Sequence, residues 1–277
     1  MFSVVILTFN EEVNIRQALA SVEFSDDVIV IDSFSTDATV SICEQFDNVR
    51  LIQNPFKDLA TQRQFAIDEG LPRHNWVLAL DADEWISPTL RDELLEISRT
   101  WSEGKPVAYD LAMRIYMWGK WLRYSSEYPV YWRRFFHRKY GTYKQRGHAD
   151  TLDVTGPTGR TRNDIIHEDK KGLSDWLSKH NVYTTQEAKY AIEELPQVRY
   201  SNLFSRDRLL RRRALKRLFR SLPGNSFLRF IYLFVACRGF LDGGAGYCFC
   251  RLRSHQHFII RLKQRELLLA QKPETLT

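Results

Sequence analysis

Trp76-Val77-Leu78-Ala79-Leu80-Asp81-Ala82-Asp83-Glu84-Trp85 is the stretch whose reading decides the fold. Apolar residues with no polar alternation run straight into two aspartates one residue apart. Such a run suits a strand buried on both faces of a parallel sheet. Asp81 then stands at the strand's carboxyl end, where open α/β sheets place their ligand crevice. On an extended backbone, residues i and i+2 point to one side. Asp81 and Asp83 therefore form a hard-oxygen pair suited to Mg2+ or Mn2+ bridging substrate phosphates. The alternative is an acidic turn in which Asp83 or Glu84 caps the next helix.

Outward from this strand, the same pattern repeats upstream. Residues 2–7 and 28–31 are buried strands, and Val49–Ile52 is a shorter one. Between them, Ile15, Ala18, Leu19 and Val22 have helical spacing, Val40, Cys43 and Phe46 share a helix face, and Lys57–Glu69 reads as a third helix. Strands alternating with helices predict βαβ units and a mostly parallel, Rossmann-like sheet flanked by helices. Downstream, Ser87-Pro88 signals a helix start. Val107–Arg138, rich in Tyr, Trp, Phe and Arg, reads as strands, some antiparallel, bordering a pocket. Residues 141–163, rich in Gly, Thr and Asp, are expected to be loops, and a helix is expected at about Leu173–Leu195. The predicted domain spans 1–196, and 197–277 forms a helical, basic, amphipathic extension.

The 277 residues, 44% of them hydrophobic, are enough for a sizeable core and exclude a disordered chain. Cys43, Cys237, Cys248 and Cys250 lack zinc or disulfide spacing, which fits a reducing compartment. The N-terminus reads as a strand and not a signal peptide. Arg206–Arg220 carries eight basic residues against Asp207, a local +7 in a chain of net charge +6. One basic segment implies a local acidic partner, and the expected one is an anionic membrane surface. Phe230–Cys237 is far too short to span a bilayer. A solvated helix face is the alternative. The expected location is cytoplasmic, peripheral on the inner face of the cytoplasmic membrane.

Three strand ends carry polar clusters: Thr8–Glu12, Asp32–Asp37 and Asp81–Glu84. Thr8 and Asn10 can satisfy base edges, and Asp32 can accept from a ribose hydroxyl or a base N–H. Glu11, Ser33, Asp37 and Ala82 belong to the same candidate set. No Gly-rich phosphate loop is present, which weighs against kinase and dinucleotide readings. A cation must then neutralise the diphosphate.

These segments resemble a known family. Val4–Glu12, Val30–Thr39 and Leu80–Trp85 look like the family 2 glycosyltransferases of GT-A fold, in the branch of lipopolysaccharide core β-glucosyltransferase-like proteins. The likeness continues through Gly156–Arg160, Trp176–Ala188 and Gly239–Gly243. It implies metal-dependent, inverting transfer from a nucleotide-sugar, expected to be UDP-linked, to a cell-envelope glycan or glycolipid such as lipopolysaccharide core. Related enzymes carry a catalytic carboxylate in a segment often reading Val-His-Glu. Here His148-Ala149-Asp150 matches it, so Asp150 falls on the base position and the histidine is displaced by one. His148 is the second candidate, and loop residues making turn hydrogen bonds are the alternative. By the same likeness Gln62 and Arg63, in Gln62-Arg63-Gln64, reach the base or the phosphates.

His167 is a candidate third metal ligand, or else a structural histidine. Arg133, Arg134 and Arg138 are candidate clamps for phosphate or an anionic acceptor. Trp118 and Trp121 are read as core side chains, with stacking on a sugar as the alternative. Aromatic–arginine interleaving also suits single-stranded nucleic acid, but no nucleic-acid module is present and none is expected as partner. Two rivals remain: a nucleotidyltransferase using the same aspartates, and a non-catalytic glycan- or membrane-binding protein on a degenerate scaffold.

Overall fold

The computed structural model describes residues 1–146, 149–194, 200–208, 210, 211, 214, 215, 218 and 224–271. The chain divides into two compact units, Met1–Gly172 and Leu173–Thr277. By this division the long helix after Gly172 goes with the second unit, whereas the sequence reading puts it in the first.

Unit one begins with β1 (Ser3–Thr8), α1 (Ile15–Ser21), β2 (Val28–Asp32), α2 (Thr39–Cys43), β3 (Val49–Gln53), α3 (Leu59–Asp68) and β4 (Trp76–Asp81). Strands β3, β2, β1 and β4 lie side by side in that order, all parallel. The apolar runs of β1, β2 and β4 are buried on both faces, β3 at the edge is half-buried, and alternation sorts the buried residues. Val4, Ile6, Val28, Val30, Leu78 and Leu80 join one cluster with Ile15 and Leu19 of α1. Val5, Leu7, Ile29, Ile31, Val77 and Ala79 join the other with Ala60 and Ala66 of α3.

After β4 the sheet changes direction. It continues through β5 (Glu84–Ile86), α4 (Pro88–Thr100), β6 (Ala108–Met117), β7 (Lys120–Trp121) and β8 (Tyr131–His137). Ser87 accepts from Leu90 N as the N-cap of α4, with Pro88 in the first turn, as the Ser-Pro signal predicts. Strand β8 pairs antiparallel with both β4 and β6. β9 (Gly141–Arg146) and β10 (Ala149–Val154) form a separate two-stranded sheet, followed by β11 (Thr158–Arg160) and β12 (Ile165–His167).

Residues 141–163 are thus largely strand, which corrects the loop expectation. Tyr143 and Leu152 are direct cross-strand partners and join the α3 cluster, with the partly buried Val154 packed against it. Tyr143 alone in β9, and only Leu152 and Val154 in β10, are too sparse for a period-2 signal. Gly141 is required by packing, since a Cβ there would lie 2.8 Å from Phe136 and 3.0 Å from Leu152.

Unit two contains α5 (Leu173–Glu194), α6 (Asn225–Ile231), a π-helical turn (Tyr232–Ala236), a 3-10 turn (Gly239–Asp242) and α7 (Gly243–Ala270). Lys263 of α7 donates to Asn181 O and to the hydroxyls of Thr184 and Thr185 on α5. Of the basic segment, Arg212, Arg213, Lys216, Arg217 and Arg220 lie outside the described residues. Among the described residues no helix is long and apolar enough to cross a membrane.

His137 ends β8 inside an aromatic box, its ring centroid 4.8 Å from Trp101, 5.2 Å from Tyr140 and 5.8 Å from Trp76. Burial and the neighbouring Lys139 and Arg138 charges lower its pKa. The unfolded chain therefore takes up this proton first as pH falls below about 6.5, and native stability falls with it. Thermal midpoints measured between pH 7.5 and 5 are expected to drop less steeply for His137→Gln than for wild type.

Candidate active site

The three polar strand ends converge through register. Thr8 is opposite Asp32 in the β1–β2 pair, and Leu7 is opposite Asp81 in the β1–β4 pair. β4 ends at Asp81, and Ala82 and Asp83 form a turn. The same-side alternation expected of an extended backbone does not carry through, so the two carboxylates have different partners.

Asp81 is held by two buried arginines. Its Oδ1 lies 2.5 Å from Arg63 Nη2 and its Oδ2 2.9 Å from Arg134 Nη2. Arg63, on α3, also donates to Leu80 O and lies 2.9 Å from Asp150 Oδ2. Arg134, on β8, also donates to Glu84 at 3.0 Å. Buried charges need this kind of mutual pairing. With Glu84 protonated the cluster balances two guanidiniums against two carboxylates. Burial, together with Asp81 and Asp83, pushes the Glu84 carboxyl up to about 7 despite Arg134. Burial also raises the Tyr143 phenol, beside Arg63 and Asp150. Tyr143 escaped the sequence reading, and Glu84 entered it only within the Asp81–Glu84 cluster or as a helix cap, because nothing in their spacing signals an ion cluster built from segments far apart in the chain.

Asp83 is buried, and its Oδ2 lies 3.3 Å from His167 Nε2. His167 ends β12, whose register against β5 places it opposite Glu84. Glu11 is near: burial first, then the charge of Asp83, raises its pKa. Its oxygens take Lys171 at 2.5 Å and Asn14 at 2.8 Å. Both oxygens of Asp81 accept from arginine, while Asp83 and His167 face each other at the same strand ends. A carboxylate with an imidazole suits Mn2+ better than Mg2+, which prefers oxygen alone. Among the described residues no group of three or more His, Cys, Asp and Glu gathers as a cation site.

The other candidates have definite places. Thr8 Oγ1 is buried and has no hydrogen-bond partner among the described residues. Asp32 is fully buried and accepts from Ser35 N and from Gln53. Asn10, with φ +52°, receives Thr36 N at its side chain. Asp37 receives Glu12 N, Thr39 N and the Thr39 hydroxyl, an arrangement that ties two loops. Gln62 donates to Ser33 Oγ and accepts from Asn54. Ala82 is buried in the core cluster of β1, β2 and β4. His148 lies outside the described residues.

Asp150, on β10, opens on a cavity of about 270 Å³ lined also by Tyr131, Trp132, Arg133 and Arg134. Arg133 is engaged by Asp110 at 2.9 Å. Arg138 donates to Pro72 O at the far end of β8 and clamps nothing in the crevice. Trp118 is 68% exposed at the β6–β7 corner, which corrects its reading as a core side chain. Positive φ at Trp118 and Gly119 makes the tight hairpin turn that carries it outward.

Unit one thus has a crevice at its parallel strand ends, a buried aspartate beside a histidine, and a second carboxylate at a cavity of about 270 Å³. Residues 3–163 match the family described as glycosyl transferase family 2. The chain is a family 2 glycosyltransferase. Its sheet is of GT-A type, and the expectation from the sequence motifs holds for family, fold and enzyme class. A glycosyltransferase of Rickettsia bellii is 27% identical over 293 residues, 99% of this chain and 89% of that one. A lipopolysaccharide core biosynthesis glycosyltransferase of Rhizobium meliloti is 27% identical over 210 residues, 73% of this chain and 75% of the relative. The mannosyltransferase of Pyrobaculum calidifontis, solved with GDP-Man and Mn2+, superposes with TM-score 0.55 at 15% identity, covering 98% of this chain and 87% of that one.

The glycosyltransferase depends on Arg63 for the coherence of this site. Arg63→Met leaves Asp81 short of one partner and Asp150 without its buried counter-charge. Urea unfolding is expected to show a loss of about 3–5 kcal/mol, whereas Arg91→Met, which breaks the exposed pair with Asp92, is expected to leave the urea midpoint unchanged.

Proposed function

We propose that this glycosyltransferase moves a sugar, with inversion, from a nucleotide-diphosphate sugar, UDP-linked by resemblance, to a cell-envelope glycan or glycolipid of the lipopolysaccharide core class. The observation that carries the reading is the contact of Asp83 with His167 at the crevice that also receives Thr8 and Asp32. Asp83 and His167 are the residues that hold a divalent cation on the donor diphosphate. When bound, that cation supplies charge neutralisation for the departing nucleoside diphosphate. The GDP-Man and Mn2+ bound by the Pyrobaculum neighbour and the lipopolysaccharide role of the Rhizobium relative support the class.

Asp150 acts as general base in this reading. Arg63, 2.9 Å away, orients its carboxylate toward the cavity, where the acceptor hydroxyl comes within hydrogen-bond reach. The hydroxyl proton passes to Asp150 and the acceptor oxygen bonds to the anomeric carbon. The bond from that carbon to the diphosphate breaks on the opposite side, and nucleoside diphosphate leaves. Arg134 fixes Asp81 and borders the same cavity, so donor and acceptor halves share one rigid wall.

Two variants separate the roles. Asp83→Ala is expected to abolish Mn2+-dependent binding of UDP or GDP in calorimetry, with the circular dichroism spectrum unchanged. Retained metal-dependent binding in that variant would sink the cation assignment. Asp150→Asn is expected to keep donor binding while lowering kcat about 10²–10⁴-fold. Turnover at the wild-type rate would place the base elsewhere. GDP binding in the absence of UDP binding would keep the mechanism and change the donor.

A further inference from the structure

The cavity beside Asp150 is built on an irregularity of β8. Arg133 pairs with Asp110 of β6 and Phe135 with Tyr109, so Arg134 is an extra residue with no cross-strand partner of its own. A β-bulge of this kind bends its strand and re-aims side chains. In a regular strand Tyr131 and Arg133 would face one side and Trp132 and Arg134 the other. Here all four line one cavity of about 270 Å³, together with Asp110 and Asp150.

The charges of that lining cancel. Among the described residues it holds two arginines and two aspartates, and each faces an opposite charge. Arg133 Nε lies 2.9 Å from Asp110, Arg134 Nη2 lies 2.9 Å from Asp81 and 3.0 Å from Glu84, and Asp150 lies 2.9 Å from Arg63. A phosphate or carboxylate entering here would lose its water and meet no net positive charge in return. Arg160 is outside the lining, its guanidinium 4.3 Å from the Tyr131 ring centroid, where it covers one face of that ring.

Trp132 is left open. It is 43% exposed although it lines the cavity, and among the described residues its ring stacks on no other. Its backbone is fixed opposite the buried Leu111 of β6. A flat aromatic face in a cavity shared with two carboxylates suits a sugar ring. The C–H groups of such a ring pack on the indole, and its hydroxyls donate to the polar neighbours.

We infer that this cavity receives an uncharged sugar ring of the acceptor, with Trp132 as its platform, and refuses a ring bearing phosphate or carboxylate. Trp132 is then a specificity-determining residue of the transfer. Assigning the ring to the acceptor rests on the reading of Asp150 as base, whereas the preference for an uncharged ring rests on the lining alone.

The test is binding, without donor, of the methyl glycosides of glucose, galactose and mannose to the full chain, titrated by saturation-transfer NMR against glucose 6-phosphate and methyl glucuronide. At least one neutral glycoside is expected to bind about tenfold or more tightly than either anionic probe. Trp132→Ala is expected to lose about tenfold of that binding and Trp132→Phe to recover most of it, with the thermal midpoint and the binding of UDP or GDP as in wild type. An anionic probe binding as tightly as the neutral ones, equal binding by Trp132→Ala, or no binding of any neutral glycoside overturns the inference. Displacement of the glycoside by a UDP- or GDP-sugar, where UDP and GDP alone leave it bound, overturns it too and assigns the cavity to the donor sugar. Wild-type turnover in Asp150→Asn would move the base elsewhere and leave these binding results standing, so the two readings fail separately.

Discussion

Two guanidinium groups inside unit one hold the site together. Arg63 and Arg134 are almost fully buried, and each reaches Asp81 from a different element. A charge buried alone is strongly unfavourable, so each arginine is tolerated only while its carboxylates are in place. The cluster draws on α3, the end of β4, the turn into β5, β8 and β10. Five pieces of backbone are therefore fixed by one electrostatic condition. The arrangement places a half-exposed Asp81 at the crevice and keeps its neighbours dry.

That condition also explains why the two aspartates of the opening motif part company. Asp81 faces the arginines and anchors the sheet end. Asp83, one turn residue further on, faces His167 across from β12. Had β4 continued as a strand, both carboxylates would have crowded one side beside Glu84, whose carboxyl is already pushed up to about 7 by burial and its acidic neighbours. The turn at Ala82–Asp83 relieves the crowding and divides the work.

Much of this was legible in residues 1–100. Fully apolar runs ending in polar clusters are an unambiguous pattern for buried parallel strands, and each predicted strand lies within a residue or two of its place. The convergence of Thr8, Asp32 and Asp81 followed from that topology alone. The hairpin at 141–154 was not legible, because its core contribution rests on Tyr143, Leu152 and the partly buried Val154 among polar residues. Nor was the arginine cluster, whose partners lie 18 and 53 residues apart for Asp81. Helical and strand periodicity report on local faces, and pairing over such distances leaves no periodic trace. Trp118 misled for a related reason: its conformation is set by the two-residue turn, and composition says only that a tryptophan is large and apolar. The place of Asp150 was reached through likeness to a family, since one aspartate in a polar stretch carries no chemical signal of its own.

The first and last segments of unit one are tied to each other. Asn14 donates to Asp169 and accepts from Lys170 N, and Lys171 reaches both Glu11 and Phe9 O. The chain thus returns after some 155 residues to clasp the loop from which it set out. Closing so long a loop is entropically slow and comes late in folding. The contacts of Asp169, Lys170 and Lys171 thus follow directly on β12, whose pairing with β5 and β6 sets His167 beside Asp83. The family match ends at 163, short of both His167 and Lys171.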